Sequence, residues 1–166
     1  MTIKDVKITH SPSMDIQISS NFERQLFESA NRQSNIVENI MKTFSEKGEQ
    51  LLPDTIVTDM QLHYNTHSVS DSKTLETIRN YYEKYGYLAD PHTATGMYIL
   101  DKVKNDKPII SLACAHPAKF GDAIFKAVKK KVSMPNKLNK IFDQKEKMTI
   151  LENDKNLVKS YINKLI

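Results

Sequence analysis

The sequence predicts an α/β fold that is rich in helix and has few strands. Apolar residues recur at helical spacing along most of the chain, and one short apolar run, Ile109–Ala115, lies between two such helical stretches. The run lacks polar alternation, which is typical of a strand covered on both faces, as in a parallel sheet. Helix, buried strand and helix in this order are typical of a three-layer αβα arrangement.

The first part of the chain predicts two helices. The first starts at Ser20, because Ser20 and Glu23 have the spacing of a capping box. The second runs from Asn35 to Gly48, where a glycine is suited to end a helix. Residues 54–69 give an ambiguous pattern, which we interpret as a short strand and a loop.

The second part predicts four more helices. One starts near Ser70 and ends at Gly86. In the next, Asp90 caps the first turn and Pro91 sets the chain direction. The other two carry the apolar residues of 123–128 and the stretch that follows Asp154.

Composition places the chain among folded proteins outside the membrane. Its 166 residues are 39% hydrophobic and 27% charged, which suits a single domain covering residues 1–166. No apolar stretch approaches the ~20 residues of a membrane helix, and no signal-peptide pattern opens the chain. The lone Cys114 excludes an internal disulfide. We therefore expect a cytoplasmic protein with no membrane partner.

The C-terminal part is basic, with 11 Lys against 4 acidic residues from Lys126 onward. Clusters such as Lys129–Lys131 occur in proteins that bind nucleic acids. Here the cluster has no interleaved aromatic residues and no recognised binding motif. We interpret it as a solvated helix face, with no nucleic-acid partner.

The candidate site lies at the carboxyl end of the predicted strand, where open α/β sheets bind ligands. Cys114 fits either a small buried apolar residue or a nucleophile. His116 has the chemistry of a base, but no nucleophile stands at a known spacing from it. Lys119 fits either a Schiff-base lysine or a solvated helix residue. From the residues alone we assign no catalytic residue and no metal ligand.

Three blocks of sequence resemble threonine synthases of the longer bacterial and fungal type. They are SPSMDIQISSNFER at residues 11–24, DPHTATG at residues 90–96 and ACAHPAKF at residues 113–120. The blocks stand in the family's order, and the resemblance extends from about Thr9 to the end. The second block usually has Val at the position of Thr95, and the third usually has Thr where Cys114 stands.

The resemblance implies a pyridoxal-phosphate (PLP) enzyme with the tryptophan-synthase-like fold, of which this chain would be part of the larger lobe. The family converts O-phospho-L-homoserine and water to L-threonine and phosphate, and the cofactor serves as an electron sink. By position, Cys114 would bind the cofactor by facing its pyridine nitrogen, where a thiol hydrogen-bonds more weakly than a hydroxyl. The turn Asp90–Thr93 would either shape the pocket or contact the cofactor directly.

The resemblance also implies that parts are missing. In the family, the Schiff-base lysine and the glycine-rich phosphate loop precede the first block, which begins here ten residues after Met1. The four glycines stand singly, whereas phosphate loops need clustered ones. We expect a C-terminal fragment or one half of a split enzyme, inactive alone, whose partner is a separate N-terminal half. The alternative is a non-catalytic interaction module.

A segment that lacks its partner should expose apolar side chains that a complete fold would cover. The sequence suggests Ser13–Ile18 and Thr93–Met97 as the exposed stretches.

Overall fold

The structure, a computed structural model, describes residues 1–100, 102–103, 106–138, 141 and 143–166. It forms two compact units, Met1–Ser133 and Met134–Ile166. The helices of the described residues are α1 Ser20–Ser29, α2 Ser34–Lys47, α3 Asp54–His63, α4 Asp71–Tyr85, α5 Pro91–Leu100, α6 Gly121–Val128 and α7 Lys155–Asn163, with short 3₁₀ turns at Pro12–Met14 and Pro117–Phe120. None of the described helices has the length and apolar character needed to cross a bilayer.

Local end signals account for several helix boundaries. Gly48 and Gly86 end α2 and α4 in the left-handed conformation, with φ of 72° and 67°, which glycine adopts without a Cβ clash. Ser70 caps α4 by accepting the Lys73 N–H, and Asp154 caps α7 through two backbone N–H groups. The helices predicted from these signals are confirmed. The capping box predicted from Ser20 and Glu23 is wrong, because Ser19 is the N-cap residue of α1 and no side chain makes a capping bond there.

The interpretation of residues 54–69 as a short strand and a loop is wrong in its first part, because Asp54–His63 form helix α3. Its apolar residues do not follow one helical face closely, so periodicity was a weak guide. Ile56 is buried and packs in one cluster with Leu26 and Ile40 of the two preceding helices. Tertiary packing therefore selects the helix.

The first unit contains two apolar clusters. One joins α1, α2 and α3 around Leu26, and the other joins α4, α5 and α6 around Ile78 and Ile124. These three side chains are fully buried, and each stabilises the fold by about 1.5–3 kcal/mol relative to an exposed position. The second cluster holds α5 in place, and α5 carries the middle sequence block.

The predicted buried strand Ile109–Ala115 is wrong. These residues are neither helix nor strand, and Ile110 and Leu112 are 84% and 78% exposed. Within the described ranges the β pairing is limited to a single bridge between Thr2 and Glu49. An apolar segment becomes a buried strand only where neighbouring strands pair with it and both faces are covered, and the described part of the chain supplies no such neighbour.

The expectation of exposed apolar residues is confirmed for one stretch and wrong for the other. In Ser13–Ile18, Met14 and Ile16 are each more than half exposed. In Thr93–Met97, by contrast, Met97 is buried in the cluster that joins α4, α5 and α6. The second stretch faces this chain's own core, so it does not lack cover.

The second unit contains α7, none of whose residues is buried. The hydroxyls of Thr149 and Tyr161 lie 2.8 Å apart and join the preceding segment to the helix. The candidate functional site lies entirely in the first unit.

Candidate functional site

A cavity of about 970 Å³ is lined by residues from all three sequence blocks. The first block contributes Met14 and Asp15, the second contributes His92 and Gly96, and the third contributes Cys114. The volume is that of a typical small-molecule pocket. Residues far apart in sequence therefore meet at one cavity, which lies along α5.

The buried carboxylate of Asp90 organises this place. Its side chain is 1% exposed, and its Oδ1 accepts the backbone N–H groups of His92 at 2.9 Å and Thr93 at 3.4 Å. These bonds cap α5, as predicted. Its Oδ2 accepts the Ala115 N–H at 3.2 Å, 25 residues away along the chain. One carboxylate thus caps the helix and binds the third block.

Thr93 extends the same network by one hydrogen bond. Its hydroxyl donates to Asp90 Oδ2 and accepts the backbone N–H of Cys114 at 2.8 Å. Two successive N–H groups of the third block, those of Cys114 and Ala115, are therefore bonded to side chains at the start of α5. The segment that failed to form a strand is anchored at its C-terminal end.

His92 joins the first block to the other two. Its Nε2 accepts the Ser13 N–H at 3.2 Å, so the proton of a neutral ring is on Nδ1, which lies 3.1 Å from Asp90 Oδ1 and donates to it. The ring also packs against Phe120 of the third block, with ring centroids 4.9 Å apart. A single buried imidazole thus contacts all three blocks.

Burial and hydrogen bonding act on Asp90 in opposite directions. Burial by itself would raise the pKa of the Asp90 carboxyl. The hydrogen bonds from the Thr93 hydroxyl and from the His92 and Ala115 N–H groups outweigh burial, so the pKa lies below its ordinary value. The carboxylate is therefore ionised at neutral pH and acts as a hydrogen-bond acceptor.

Cys114 lies at the cavity with an exposed side chain. This exposure excludes the interpretation of Cys114 as a small buried apolar residue. Its Sγ donates a long hydrogen bond of 3.6 Å to the Leu112 carbonyl, which is weak and easily exchanged for a ligand. The thiol is available to a molecule in the cavity.

Gly96 allows α5 to approach the segment just before the third block closely. A Cβ at this position would lie 3.1 Å from Ser111 Oγ, which is tighter than ordinary van der Waals contact. The last residue of the second block is therefore small where the two segments meet at the cavity.

The other residues considered from the sequence do not line the cavity. His116 Nδ1 accepts the Ala118 N–H at 3.2 Å and caps the 3₁₀ turn, and Lys119 is exposed and does not line the cavity. In the basic cluster, Lys129 lies over the Phe125 ring and Lys130 over the Tyr82 ring. These contacts give the two lysines partners within the first unit.

Sequence reasoning missed three residues of the site. Asp15, for which no partner was identified, accepts both the N–H and the hydroxyl of Thr9 at 2.7 Å. Thr93 was not singled out, although it stands three residues after a helix-capping aspartate, a spacing that brings the two side chains together. Lys7, which lines the cavity, was not considered either.

Comparisons with known proteins agree with the resemblance of the three blocks. Residues 93–162 match the family described as threonine synthase, C-terminal. Threonine synthase of Pseudomonas aeruginosa is 35% identical over 92% of this chain and 33% of its own length. Threonine synthase of Saccharomyces cerevisiae is 35% identical over 95% of this chain and 36% of its own length. The chain therefore spans about a third of the length of these curated relatives.

The fold agrees as well. The PLP-bound threonine synthase from Brucella melitensis superposes on this chain with a TM-score of 0.81 and 35% identity. The superposition covers 98% of this chain and 35% of the Brucella chain. All of the regular elements among the described residues are helices, which fits a helix-rich piece of that α/β fold. In sequence and in fold, this chain corresponds to the C-terminal portion of the threonine synthase family.

Proposed function

We propose that this chain forms the C-terminal part of a threonine synthase site and needs the rest of the fold to act. The reaction is the conversion of O-phospho-L-homoserine and water to L-threonine and phosphate. The observation that carries the proposal is the cavity at which the three family-like blocks meet, with the Cys114 thiol exposed to it. The relatives it matches are about three times as long.

The residues at the cavity fit one edge of pyridoxal phosphate. Cys114 would hold the pyridine nitrogen, because a thiol both donates and accepts a hydrogen bond. When bound, the cofactor supplies an electron sink for carbanion chemistry. The glycines of the chain stand singly, so the phosphate group would be held by residues outside this chain. Lys7 is the one lysine among the described residues that line the cavity.

The chain's own residues would orient and enclose the reactants. Asp90 and His92 hold the three blocks together around the cavity. Met14 and Ile16 line it with apolar atoms that are more than half exposed to solvent. Once covered by a partner, such side chains would exclude water from the site.

Exposed apolar residues around the cavity support a partner. Ile110 and Leu112 line the cavity and are the most exposed of its apolar side chains. Clustered exposure of this kind is typical of a contact surface. We propose that the partner is a polypeptide equivalent to the N-terminal two thirds of a threonine synthase.

Complementation tests the proposal. This chain would be mixed with a separately produced N-terminal two thirds of the Pseudomonas aeruginosa relative, and phosphate release from O-phospho-L-homoserine would be measured. We expect release only from the mixture with PLP. Leu112→Lys should weaken it, whereas Leu51→Lys should not, because Leu51 is 88% exposed and does not line the cavity. A stable complex without phosphate release would contradict the proposal and favour a non-catalytic interaction module.

Covalent labelling tests whether the chain is complete by itself. The chain would be treated with PLP, reduced with borohydride and mapped by peptide mass. We expect scattered, sub-stoichiometric labels on surface lysines such as Lys129–Lys131, because the family's Schiff-base lysine precedes the matched blocks. A single stoichiometric label on Lys7 or Lys119, with substrate turnover that is lost on its substitution by alanine, would show a complete enzyme instead.

A further inference from the structure

The hydrogen bonds of Asp90 and Thr93 exceed what a helix cap requires. The cap of α5 uses only Oδ1 of Asp90. The side-chain oxygen of an asparagine or a serine could accept the same capping bonds. Oδ2 of Asp90 instead bonds to the Ala115 N–H, and the Thr93 hydroxyl bonds to the Cys114 N–H. These two bonds reach residues 21 and 25 positions away, so they serve the third block and not the helix.

The segment 109–115, which contains the first residues of the third block, depends on these bonds for its conformation. Residues 109–115 lie outside helices and strands, and most of them are exposed. A segment of this kind takes many conformations unless specific bonds restrict it. The two successive N–H groups at its end are bonded to a buried carboxylate and to a hydroxyl that this carboxylate orients. Because α5 is packed into the core through Met97, the anchor does not move freely.

We infer that Asp90 and Thr93 are positioning residues that fix the backbone of Cys114 so that its thiol faces the cavity. A hydrogen bond to a ring nitrogen requires its donor to be held within a few tenths of an ångström. A side chain on a solvated loop is not held this closely. A side chain whose backbone is bonded at two successive N–H groups is held more closely. The link to the cofactor rests on the proposed function; the link to the Cys114 backbone does not.

A set of threonine variants separates this role from general stability. Thr93→Val keeps the side-chain shape and removes the hydroxyl, whereas Thr93→Ser keeps the hydroxyl. Thr95→Val is the matched control. The Thr95 hydroxyl donates to the His92 carbonyl within α5 and lies 3.6 Å from Met14 Sδ in the first block, and it has no bond to the third block. Circular dichroism would confirm that each variant is folded.

The first measurement needs no cofactor. Hydrogen exchange of the Cys114 amide would be followed by NMR in the folded chain. We expect exchange in Thr93→Val to be at least about tenfold faster, since the hydrogen bond that protects the amide is lost. Thr93→Ser and Thr95→Val should exchange at the rate of the unmodified chain. An unchanged rate in Thr93→Val, or an equal rise in Thr95→Val, would overturn the positioning role.

The second measurement asks whether Thr93 acts through Cys114. PLP affinity would be measured in the complemented mixture for Thr93→Val, Cys114→Ala and the double variant. We expect Thr93→Val to weaken binding severalfold when Cys114 is present and to have no further effect when it is absent. An equal loss in both backgrounds would overturn the inference. If no variant binds PLP, the proposed function fails, and the amide measurement alone decides the positioning role.

Discussion

Replacement of Asp90 by asparagine isolates the contribution of one buried oxygen. The asparagine keeps the shape of the side chain, and its amide oxygen can still cap α5. In place of Oδ2 it presents an N–H donor to the Ala115 N–H and the Thr93 hydroxyl. Both partners of that oxygen lose their acceptor.

The magnitude follows from the bonds lost. Hydrogen bonds to a charged acceptor contribute about 1.5–3 kcal/mol each, and an unsatisfied buried donor costs about 1–3 kcal/mol. The Thr93 hydroxyl can rotate to another partner, so the two losses do not add fully. We expect Asp90→Asn to lower the free energy of unfolding by roughly 2–3 kcal/mol at neutral pH.

The effect should depend on pH with a definite sign. The pKa of Asp90 is lowered in the folded chain from an ordinary value of 3.8. Stability that comes from this carboxylate is therefore fully present above about pH 4 and is lost as the pH falls through the lower folded pKa. The difference between the unmodified chain and Asp90→Asn should be constant from neutral pH to about pH 5 and should shrink below pH 4.

Urea unfolding followed by circular dichroism at several pH values measures this difference, with the slope against urea checked for constancy. Asp5→Asn is the control, because Asp5 is exposed near the N-terminus, and its replacement should leave stability unchanged. A difference for Asp90→Asn below about 0.5 kcal/mol at neutral pH, or one that does not shrink in acid, would refute the reasoning.

Three further experiments test the packing and one helix cap. Ile78→Ala should lower the free energy of unfolding by about 2–5 kcal/mol, since Ile78 is fully buried, whereas Ile110→Ala, at an 84% exposed position, should change it little; urea unfolding would compare them. Gly96→Ala by itself should not stabilise α5, because the added Cβ would lie 3.1 Å from Ser111 Oγ. Together with Ser111→Ala, which removes this contact, it should stabilise α5 by up to about 1 kcal/mol. Thermal unfolding of the two single variants and the double variant would measure the difference. Gly86→Ala should lower stability by about 1–2 kcal/mol in the same assay because of its φ of 67°, and no loss would contradict the left-handed cap.

The candidate site was only partly predictable, because its contacts differ in sequence range. The cap of Asp90 on His92 and Thr93 spans two and three residues, and a capping residue followed by a helical pattern predicts it. The bonds from Ser13 to His92 and from Ala115 to Asp90 span 79 and 25 residues. The resemblance of the three blocks pointed to the residues involved, but not to these bonds.

The sequence by itself determined the helices whose ends carry local signals. Gly48 and Gly86 end their helices, and Ser70 begins one, through bonds within about four residues. Only the tertiary structure decided the state of residues 109–115 and the exposure of Cys114. The physical reason is that the secondary structure and the burial of an apolar run depend on the residues that surround it. Helical hydrogen bonds close within one segment, whereas a strand needs neighbouring strands, and none pairs with this run in the described part of the chain.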